Sequence, residues 1–595
     1  MPQYLSKSDY KLARDCPAKL YYKKLHYPSS NDNNPFMELL EEGGYLFEAL
    51  AKLNYPDGVA IDESLSLEES AATTRVALLA DQVTLFEATF ISAGKLVRVD
   101  ILVKDGAVLN LIEVKSKGWS PAESFRGRNG LSGEWLPYLE DVAFQALVLR
   151  ECYPELEIRS FLLLPDTTQP VRIEQIRTWF RFEEIGREGE WVRRMVAVTG
   201  DVALLRQESI VSLVPVDAEV AELLPQVAAA SARFVASLNP LVRLAPPLGH
   251  RCGQCEYRLD GSAERNGFVE CWRGLAHDGP HLLDLYFVGT TSLVGEMLEQ
   301  GRTHLFDVPL ERLRNKDGSI GKRSRRQLIQ IEHTRLEREW FSDELAGELG
   351  RLEYPLHFLD FETARFVLPS HASLTPYALE AFQWSCHTLR APGAELEHAE
   401  WINTEPSFPN ERFARSLMEH LGDGGTVLAW ATHESTTLRQ IADQLAARGW
   451  GDDDLHSWLR AMAAKGRIVD MNAMTVNHYF HPAMRGQTSL KVVADAIWRS
   501  APALRQRFAG LLGLPVEGVQ SLYKALAYQP VGAQQFSVQN GTEALHAYER
   551  MVQVAALGDA EFQAWRQLLL QYCRLDTLAM VLVWEHWRAA VLGEG

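Results

Sequence analysis

The amino-acid sequence predicts an α/β protein with more than one folding domain, and three observations carry this prediction. The chain has 595 residues, which exceeds the length that a single hydrophobic core normally serves. A β-hairpin pattern occupies Lys95–Gly118, and helical periodicity follows it. A second strand, Pro355–Ala364, opens a new alternation of strands and helices far along the chain. We therefore expect two α/β modules.

The hairpin carries three charged residues on one face. Apolar and polar residues alternate on both sides of Asp105-Gly106, a two-residue turn signal. With that turn, Asp100 lies opposite Leu111, and Glu113 lies on the diagonal. Because strand side chains alternate between faces, Asp100, Glu113 and Lys115 point to the same side. A solvated sheet face with one Glu–Lys contact would also explain the pattern, but charged residues are rarely placed on a half-buried face without a partner or a metal.

An Asp followed about a dozen residues later by Glu-x-Lys resembles the PD-(D/E)xK nuclease core. The pattern is most similar to the RecB-like branch, in which a helix bearing Gln follows the hairpin. Here that helix is predicted over Tyr138–Arg150, with Gln145 as the candidate. The resemblance implies that Asp100 and Glu113 hold Mg²⁺ or Mn²⁺ and that Lys115 orients or activates water.

The same family usually contributes a His from an earlier helix in the pattern Gly-x-x-x-His. In this sequence the helix is predicted over Glu42–Leu53, and Glu48 occupies the His position. A carboxylate is still a hard oxygen ligand that suits Mg²⁺ or Mn²⁺. The resemblance therefore implies a third metal ligand at Glu48, with a departure from the usual residue.

Four cysteines follow a metal-ligand order. Cys252 and Cys255 form a C-x-x-C pair, and Cys271 follows, while a redox pair plus a buried Cys is the alternative. RecB-like nucleases with an iron–sulfur cluster place one early Cys before the nuclease core and three after it, so the resemblance adds Cys16 and implies a [4Fe–4S] cluster. His250 leaves a structural Zn²⁺ site open. The other cysteines lie in apolar patterns and are expected in cores: Cys152, Cys386 and Cys573.

The strand Pro355–Ala364 contains a second set of acids. Its alternation places Phe358, Asp360 and Glu362 on one face. Two carboxylates inside an apolar strand are unfavourable unless they bind cations. This strand therefore predicts a cation site.

Three further polar residues lie on later elements. Glu434 follows a second apolar strand, Gly424–Ala431, at the start of the next helix. Tyr572 and Asp576 are four residues apart on the helix predicted over Asp559–Trp587, so they share one helix face. An isolated Tyr–Asp pair of this kind is more often a solvated helix face.

Asp-x-Glu on a first strand, an acid at the second strand–helix junction and Tyr-x-x-x-Asp on a late helix together resemble the DnaQ-like, or DEDD, exonucleases. The C-terminal half also resembles a bacterial domain of unknown function that is often fused to RecB-like nucleases. Glu434 stands where the exonucleases usually have Asp. The resemblance implies two metal ions bound by Asp360, Glu362, Glu434 and Asp576, with Tyr572 orienting the attacking water.

Composition bounds the cellular setting. Hydrophobic residues make up 46% and charged residues 23% of the chain, as in ordinary globular proteins. We find no apolar stretch near 18 residues and no signal-peptide pattern at the start, so we expect a cytoplasmic protein without a membrane partner. The net charge of −18 is neutral evidence about nucleic acid, because metal sites also need acids. The basic segment Arg312–Arg326 could contact a phosphate backbone, and a solvated loop explains it equally well.

Together these expectations define a domain plan and a function. The two resemblances imply a restriction-endonuclease-like PD-(D/E)xK domain over residues 1–275 and an RNase H-like DnaQ/DEDD 3′–5′ exonuclease domain over residues 351–595, and we expect residues 276–350 to form a helical connector. The expected substrate is DNA with single strands or free ends, in repair, recombination or defence, and protein partners are left open. One alternative is a nucleic-acid-binding scaffold with one or both sites inactive, and another is an RNase.

Overall fold

The computed structural model is mixed α/β and describes the following residues: 3–32, 34–62, 64–188, 191–259, 264–288, 292–422, 424–526, 529–531, 534–554 and 559–593. Contacts divide the chain into two compact units. The first unit comprises residues 1–247, 256–271 and 365–378, and the second comprises residues 248–255, 272–364 and 379–595. No helix in the described residues combines the length and the apolar character needed to cross a membrane.

The first eleven strands belong to the first unit. They are β1 (Leu5–Ser6), β2 (Val59–Ala60), β3 (Gln82–Ser92), β4 (Lys95–Asp105), β5 (Val108–Val114), β6 (Arg126–Gly127), β7 (Gly130–Leu131), β8 (Glu157–Pro165), β9 (Phe180–Glu188), β10 (Trp191–Val198) and β11 (Val211–Pro215). Seven of them form a mixed sheet in the order β11-β8-β5-β4-β3-β2, with β1 paired to β4.

Eight helices accompany these strands along the chain. They are α1 (Lys7–Asp15), α2 (Pro17–Lys24), α3 (Pro35–Lys52), α4 (Leu67–Ala77), α5 (Leu136–Cys152), α6 (Val202–Leu205), α7 (Asp217–Ala236) and α8 (Gly267–Trp272). The sequence predicts one helix over residues 1–26, opened by Ser6 or Ser8, but the structure has two, and Ser6 caps the first. The break falls at Cys16, whose extended backbone precedes Pro17, because proline disfavours a helical conformation in the residue before it.

The strand register of the hairpin differs from the sequence prediction: each residue of β4 pairs with the β5 residue two positions later than predicted. Asp105 pairs with Val108 and Leu102 pairs with Leu111, so the turn residues are Gly106 and Ala107, not Asp105 and Gly106. Gly106 has a φ of +57°, a conformation that glycine adopts without strain. The same register carried one pair beyond Ile101 and Ile112 places Asp100 opposite Glu113 instead of Leu111. Since the shift is two residues, the predicted face is unchanged.

The second unit contains the remaining strands and helices. The strands are β12 (Trp340–Phe341), β13 (Leu356–Ala364), β14 (Glu380–Leu389), β15 (Leu396–Ile402), β16 (Thr426–Ala429), β17 (Ile468–Asp470), β18 (Tyr479–Phe480), β19 (Gln529–Val531) and β20 (Gln534–Phe536). The helices are α9 (Ser292–Glu299), α10 (Lys322–Arg335), α11 (Leu345–Gly350), α12 (Asn410–Leu421), α13 (His433–Arg448), α14 (Asp453–Met462), α15 (Met471–His478), α16 (Leu490–Ser500), α17 (Pro502–Leu512), α18 (Gly541–Val554) and α19 (Asp559–Leu592).

Five strands of the second unit form one mixed sheet in the order β15-β14-β13-β16-β17. The first three strands are antiparallel neighbours, and β13, β16 and β17 run parallel. The predicted strand Pro355–Ala364 is therefore β13, at the centre of the sheet. One face packs against α12, α13 and α14 through a core that includes Leu359, Phe361 and Phe413.

Helix α19 packs on the other side of the central strands. Gln383 donates its side-chain amide to the carbonyl of Leu569 at 3.0 Å, and the hydroxyls of Ser385 and Thr577 lie 3.0 Å apart. Each of these bonds joins β14 to α19. They fix the rotation of the helix and thereby decide which of its residues face β13.

The two ends of the predicted basic segment Arg312–Arg326 differ in their exposure. Residues 272–350 belong to the second unit, where the guanidinium of Arg326 is 1% exposed and donates to the carbonyls of Thr475 and Tyr479. The last residue of the predicted basic segment is therefore a packing residue that no phosphate can reach. Arg312 forms an exposed ion pair with Glu296 at 2.6 Å.

Asn410 is the buried polar residue that ties α12 to the sheet, and we expect it to be essential for stability. Its side-chain oxygen accepts from the backbone N–H of Ala381 at 2.7 Å, and its amide donates to the carbonyl of Leu379 at 3.0 Å. Asn410→Ala leaves the backbone N–H of Ala381 and the side-chain oxygen of Gln444 without this partner, while Gln444 still donates to the carbonyl of Leu379. The change should lower the free energy of unfolding by about 1–3 kcal/mol. Urea unfolding of the full chain measures it. The exposed Asn477→Ala is the control and should stay within about 0.5 kcal/mol of wild type; equal losses in both variants would contradict the assignment.

Candidate functional site

Four of the carboxylates predicted from sequence meet in the second unit. Asp360 and Glu362 project from the same face of β13, Glu434 lies in the first turn of α13, and Asp576 lies on α19. Glu362, Glu434 and Asp576 are buried, and Asp360 is partly exposed. We call these four residues the acid cluster.

Burial and mutual repulsion dominate the electrostatics of the acid cluster. Burial raises the pKa of Asp360 well above its ordinary value, and the charges of Asp576, Glu362 and Glu434 raise it further. The pKa of Glu362 is raised by burial and by the same neighbours. Burial raises the pKa of Glu434 to about 8 and that of Asp576 to about 6. The four groups therefore cannot all ionise near neutral pH without a compensating positive charge.

One atom of the acid cluster has no partner in the described residues. Glu434 is 2% exposed, and its Oε2 is fully buried and accepts no hydrogen bond. A buried carboxylate oxygen without a partner is unfavourable and rare in folded proteins. The charges of Asp470 and Asp576 also act on Glu434, so its ionisable neighbours are carboxylates, whose oxygens are the ligands that Mg²⁺ and Mn²⁺ prefer. These residues therefore fit a hard divalent cation.

Asp576 is held by two tyrosines. Tyr523 donates its hydroxyl to Asp576 Oδ1, and Tyr572 also hydrogen bonds to the same carboxyl group. Tyr572 is therefore beside the acid cluster, four residues before Asp576 on the same helix face. Both hydroxyls keep their protons, because burial raises the pKa of each tyrosine well above its ordinary value.

A lysine completes the second-unit site. Lys491, at the start of α16, donates to the carbonyl of Gln539, and its Nζ lies 4.7 Å from the ring centroid of Tyr523 and 5.1 Å from that of Tyr572. Burial lowers its pKa, while the charges of Asp576 and Glu362 counteract that shift. Among the described residues, Lys491 is the positive charge that lowers the pKa of both acids.

Cys573 is the third unforeseen neighbour of the acids. Its Sγ lies 3.3 Å from Asp360 Oδ2, and one ligand atom each from Asp360, Glu362 and Cys573 lie within 4.8 Å of one another. The sequence predicts Cys573 as a core residue, and it is indeed 0% exposed. Burial and the charge of Asp360 raise its pKa well above the ordinary thiol value, so it remains a neutral thiol and a weak donor.

Sequence reasoning missed Lys491, Tyr523 and Cys573 as site residues. Cys573 directly follows Tyr572, but the helical pattern assigns it to the core rather than to a site. Lys491 ends the segment Gly486-Gln-Thr-Ser-Leu-Lys491, which the sequence indicates only as a helix entry. No local signal marks Tyr523, because it reaches Asp576 from 53 residues away.

The first unit brings together its own predicted residues. The backbone N–H of Val114 donates to Asp100 Oδ2 at 2.8 Å, and the amide of Gln145 donates to Glu113 Oε2 at 2.6 Å. Glu113 is 0% exposed, and Gln145 lies on α5, the helix predicted after the hairpin. Asp100, Glu113, Lys115 and Gln145 thus form one polar centre.

Two lysines neutralise this centre. Lys115 Nζ and Lys7 Nζ each lie 2.6 Å from Glu113 Oε1, and Lys7 is 3.7 Å from Asp100 Oδ1. Burial alone would raise the pKa of Glu113, but the charges of Lys115 and Lys7 outweigh it and hold that pKa well below its ordinary value. Asp100 behaves oppositely, because burial and the charge of Glu113 raise its pKa to about 8. Lys7 is the residue that sequence reasoning missed here.

Glu48 and Asp141 lie at the edge of the first-unit centre. The charge of Glu48 contributes to the raised pKa of Asp100, and Glu48 Oε1 is 2.5 Å from Lys52 Nζ on the same helix. Asp141 is 3.3 Å from Lys115 Nζ. The predicted third acid is therefore near the other two, but it already has a lysine partner.

The predicted cysteine ligands are divided between the units. In the first unit Cys16 lies between α1 and α2, and Cys271 Sγ is 3.1 Å from the hydroxyl of Tyr22. In the second unit Cys252 and Cys255 are part of one tight turn. No cysteine of the described chain forms a disulfide. Cys16 and Cys271 therefore belong to the first unit, and Cys252 and Cys255 belong to the second. The metal centre with four cysteine ligands stays a prediction.

Comparison with known proteins covers part of the second unit. The profile of a family described as Domain of unknown function (DUF2779) matches residues 357–489. The match begins in β13 and ends just before α16, so it contains Asp360, Glu362 and Glu434 and stops before Tyr572 and Asp576. Searches of curated proteins and of solved structures gave no significant match.

The raised pKa of Glu434 predicts how stability depends on pH without metal. Its folded pKa of about 8 lies above the unfolded value, so the folded state binds the proton more tightly. The free energy of unfolding should therefore fall as pH rises from about 4.5 to about 8. Glu434→Gln removes this contribution, and in chelator the variant should be more stable than wild type at pH 8 by about 1–4 kcal/mol.

Urea unfolding in chelator at pH 5 and pH 8 measures the effect. The gain should shrink at pH 5, where Glu434 is protonated in the folded wild type. Glu419→Gln, an exposed change on α12, is the control and should give no pH-dependent difference. A Glu434→Gln variant that is less stable than wild type at pH 8 would show that the carboxylate has a partner that offsets its burial.

Proposed function

We propose that this chain is a divalent-metal-dependent nuclease whose principal centre is the acid cluster of the second unit. The observation that carries the proposal is the convergence of Asp360, Glu362, Glu434 and Asp576 from three separate elements into one buried site. Folding gains nothing from placing four like charges together. A bound cation supplies the compensation.

Mg²⁺ or Mn²⁺ would be held by the four carboxylates of the acid cluster. When bound, such ions activate water and stabilise the charge that develops on phosphate oxygens. The partial exposure of Asp360 leaves a path for substrate to the ligand set. The unpartnered Oε2 of Glu434 is the atom whose environment favours a cation most directly.

Tyr572 and Lys491 have roles that follow from their positions. Tyr572 is a protonated hydroxyl beside Asp576 and can orient the attacking water by donating or accepting a hydrogen bond. Lys491 places a positive charge next to Glu362 and Asp576, where it can also bind a phosphate oxygen. Tyr523 positions Asp576 and need not touch the substrate.

We infer the finer fold classes from the arrangement of these residues. The acids on the central strand β13, the junction at Glu434 and the late helix with Tyr572 and Asp576 support an RNase H-like domain of the DnaQ/DEDD kind. The matched family adds support, since the sequence itself resembles a domain of unknown function fused to RecB-like nucleases. In the first unit, the strand pair carrying Asp100 and Glu113 and the helix carrying Gln145 support a PD-(D/E)xK domain.

One observation favours a different role for the first unit. Glu113 already has Lys7, Lys115 and Gln145 within 2.6 Å, so a metal ion must displace at least one of them. A centre compensated in this way is stable without metal. The second candidate function is therefore a chain in which the first unit binds nucleic acid without cleaving it, while the acid cluster performs hydrolysis.

The proposed substrate is DNA with single strands or free ends. RNA is the alternative substrate, because DEDD-type domains act on both polymers. The proposed setting is repair, recombination or defence in the cytoplasm, with no membrane partner.

Metal-dependent cleavage of labelled oligonucleotides tests the proposal. With Mg²⁺ or Mn²⁺, the full chain should degrade single-stranded DNA, and Asp360→Asn should lower the rate by about 10²-fold or more. Asp443→Asn, an exposed change on α13, is the control and should keep wild-type activity. Asp100→Asn reports separately on the first unit, and parallel RNA and duplex DNA substrates decide the preferred polymer.

Tyr572→Phe separates chemistry from metal binding. This variant should cleave more slowly and yet keep the rise in melting temperature that Mg²⁺ gives to the wild type. Asp360→Asn should lose both the cleavage and most of that rise. If the full chain cleaves no polymer with either metal, or if Asp360→Asn and Asp100→Asn together leave cleavage unchanged, the nuclease proposal is wrong and a binding scaffold is favoured.

We also propose that Cys16, Cys252, Cys255 and Cys271 bind one metal centre, preferably [4Fe–4S]. Their order around the first-unit core supports this, and thiolates suit both iron–sulfur clusters and Zn²⁺.

Anaerobically purified protein should then be brown and contain about four irons per chain. Cys252→Ser should lose that iron, while Cys152→Ser, a change at a half-buried cysteine outside the set, should keep it. Stoichiometric zinc in a colourless protein would favour the zinc alternative, and the absence of both metals would exclude the four-cysteine centre.

A further inference from the structure

Three soft ligand groups converge on the sheet of the second unit. His357 is the second residue of β13, Cys386 lies within β14, and His420 lies in the last turn of α12. One ligand atom from each residue lies within 4.8 Å of the other two. His357 and Cys386 are buried, and His420 is partly exposed.

This set is separate from the acid cluster. Side chains alternate along β13, so His357 faces opposite to Asp360 and Glu362 across the sheet. Cys386 belongs to the apolar core that contains Leu359 and lies against α12. The two constellations therefore share a strand and occupy different faces.

The hydrogen bonds leave the outer nitrogens of both imidazoles unused. His357 Nδ1 lies 3.0 Å from the hydroxyl of Thr388, and Cys386 Sγ lies 4.0 Å from the same nitrogen. When Nδ1 donates its proton to Thr388, Nε2 presents a lone pair. His357 Nε2 and His420 Nε2 are both buried and have no hydrogen-bond partner in the described residues. Two unpartnered buried nitrogens next to a thiol are unfavourable unless another group binds them.

We propose that His357, Cys386 and His420 bind a borderline-soft divalent cation, Zn²⁺ being the ion that this donor set favours. Imidazole nitrogen and thiolate sulfur are its common protein ligands, whereas Mg²⁺ and Mn²⁺ prefer the oxygen set on the opposite face. On binding, the Cys386 thiol releases its proton to solvent and the sulfur forms a bond to zinc, without any change of oxidation state. Thr388 fixes the tautomer of His357, as the outer partners of metal-bound histidines commonly do.

The neighbouring charges are compatible with such a site. Two arginines, Arg390 and Arg467, act on His357, and Arg390 pairs with Glu397 at 3.0 Å, which offsets its charge. The cation would join β13, β14 and α12 at the end of the sheet remote from Glu362. Three protein ligands leave the fourth position of a tetrahedral Zn²⁺ to water or another small ligand.

Metal analysis of the full chain tests the site. Each protein is loaded with zinc and desalted before its zinc content is measured. Cys386→Ser and His420→Gln should each contain one equivalent of zinc per chain less than the wild type. Cys152→Ser is the control and should keep the wild-type zinc content. Since all three variants retain Cys16, Cys252, Cys255 and Cys271, zinc bound there cancels in the comparison. Cobalt substitution should give a sulfur-to-metal charge-transfer band that disappears in Cys386→Ser.

Two outcomes would overturn the proposal. One is an unchanged zinc content in both ligand variants, and the other is loss of the same amount of zinc in the Cys152→Ser control. If Cys386→Ser fails to fold, His420→Gln decides, because His420 lies at a helix end and is partly exposed. Retention of nuclease activity in His420→Gln together with loss of one zinc would show that this site and the acid cluster are independent.

Discussion

Repulsion between buried carboxylates is the constraint on which both polar centres depend. Two unit charges about 4 Å apart repel by about 4 kcal/mol even with an effective dielectric near 20. The acid cluster places four such groups on three elements, and Lys491 is the lysine that acts on them. Most of that cost must be relieved by protons or by metal. Burial and neighbouring carboxylates raise the pKa values of Asp360 and Glu362 well above their ordinary values, which indicates that protons do so when metal is absent.

The first unit solves the same problem with its own cations. Lys7 and Lys115 both contact Glu113, so this carboxylate stays ionised while Asp100 takes up a proton near neutral pH. Carboxylates that are already paired with lysines repel one another less when no metal is bound, and metal binding therefore stabilises such a site less. The two units therefore differ in how strongly their geometry demands a divalent cation, and this difference makes the acid cluster the stronger candidate for catalysis.

Sequence periodicity predicted which candidate residues share a strand face or a helix face. Alternation along a strand places Asp360 beside Glu362, and a spacing of four on a helix places Tyr572 beside Asp576. The hairpin turn was misplaced by one residue, yet the face of Asp100 and Glu113 was right, because a two-residue register shift preserves parity. Lys7, Lys491 and Tyr523 could not be predicted. Each reaches its partner from a distant segment, and only the packing of whole elements brings them there.

The path of the chain after Glu362 shows that the two units do not meet at the domain boundary predicted at residue 350. Strand β13 ends at Ala364, and the next residues, 365–378, belong to the first unit before β14 returns to the second. Within the first unit, Tyr377 donates to the carbonyl of Ser116, directly after Lys115. A fragment that begins at 351 would carry this segment away from its partners and would also lose Arg326, which caps the carbonyls of Thr475 and Tyr479. Buried backbone groups that lose their partners destabilise a fragment. Because each unit is built from separate stretches of the chain, no single cut in the sequence keeps all the contacts of both units.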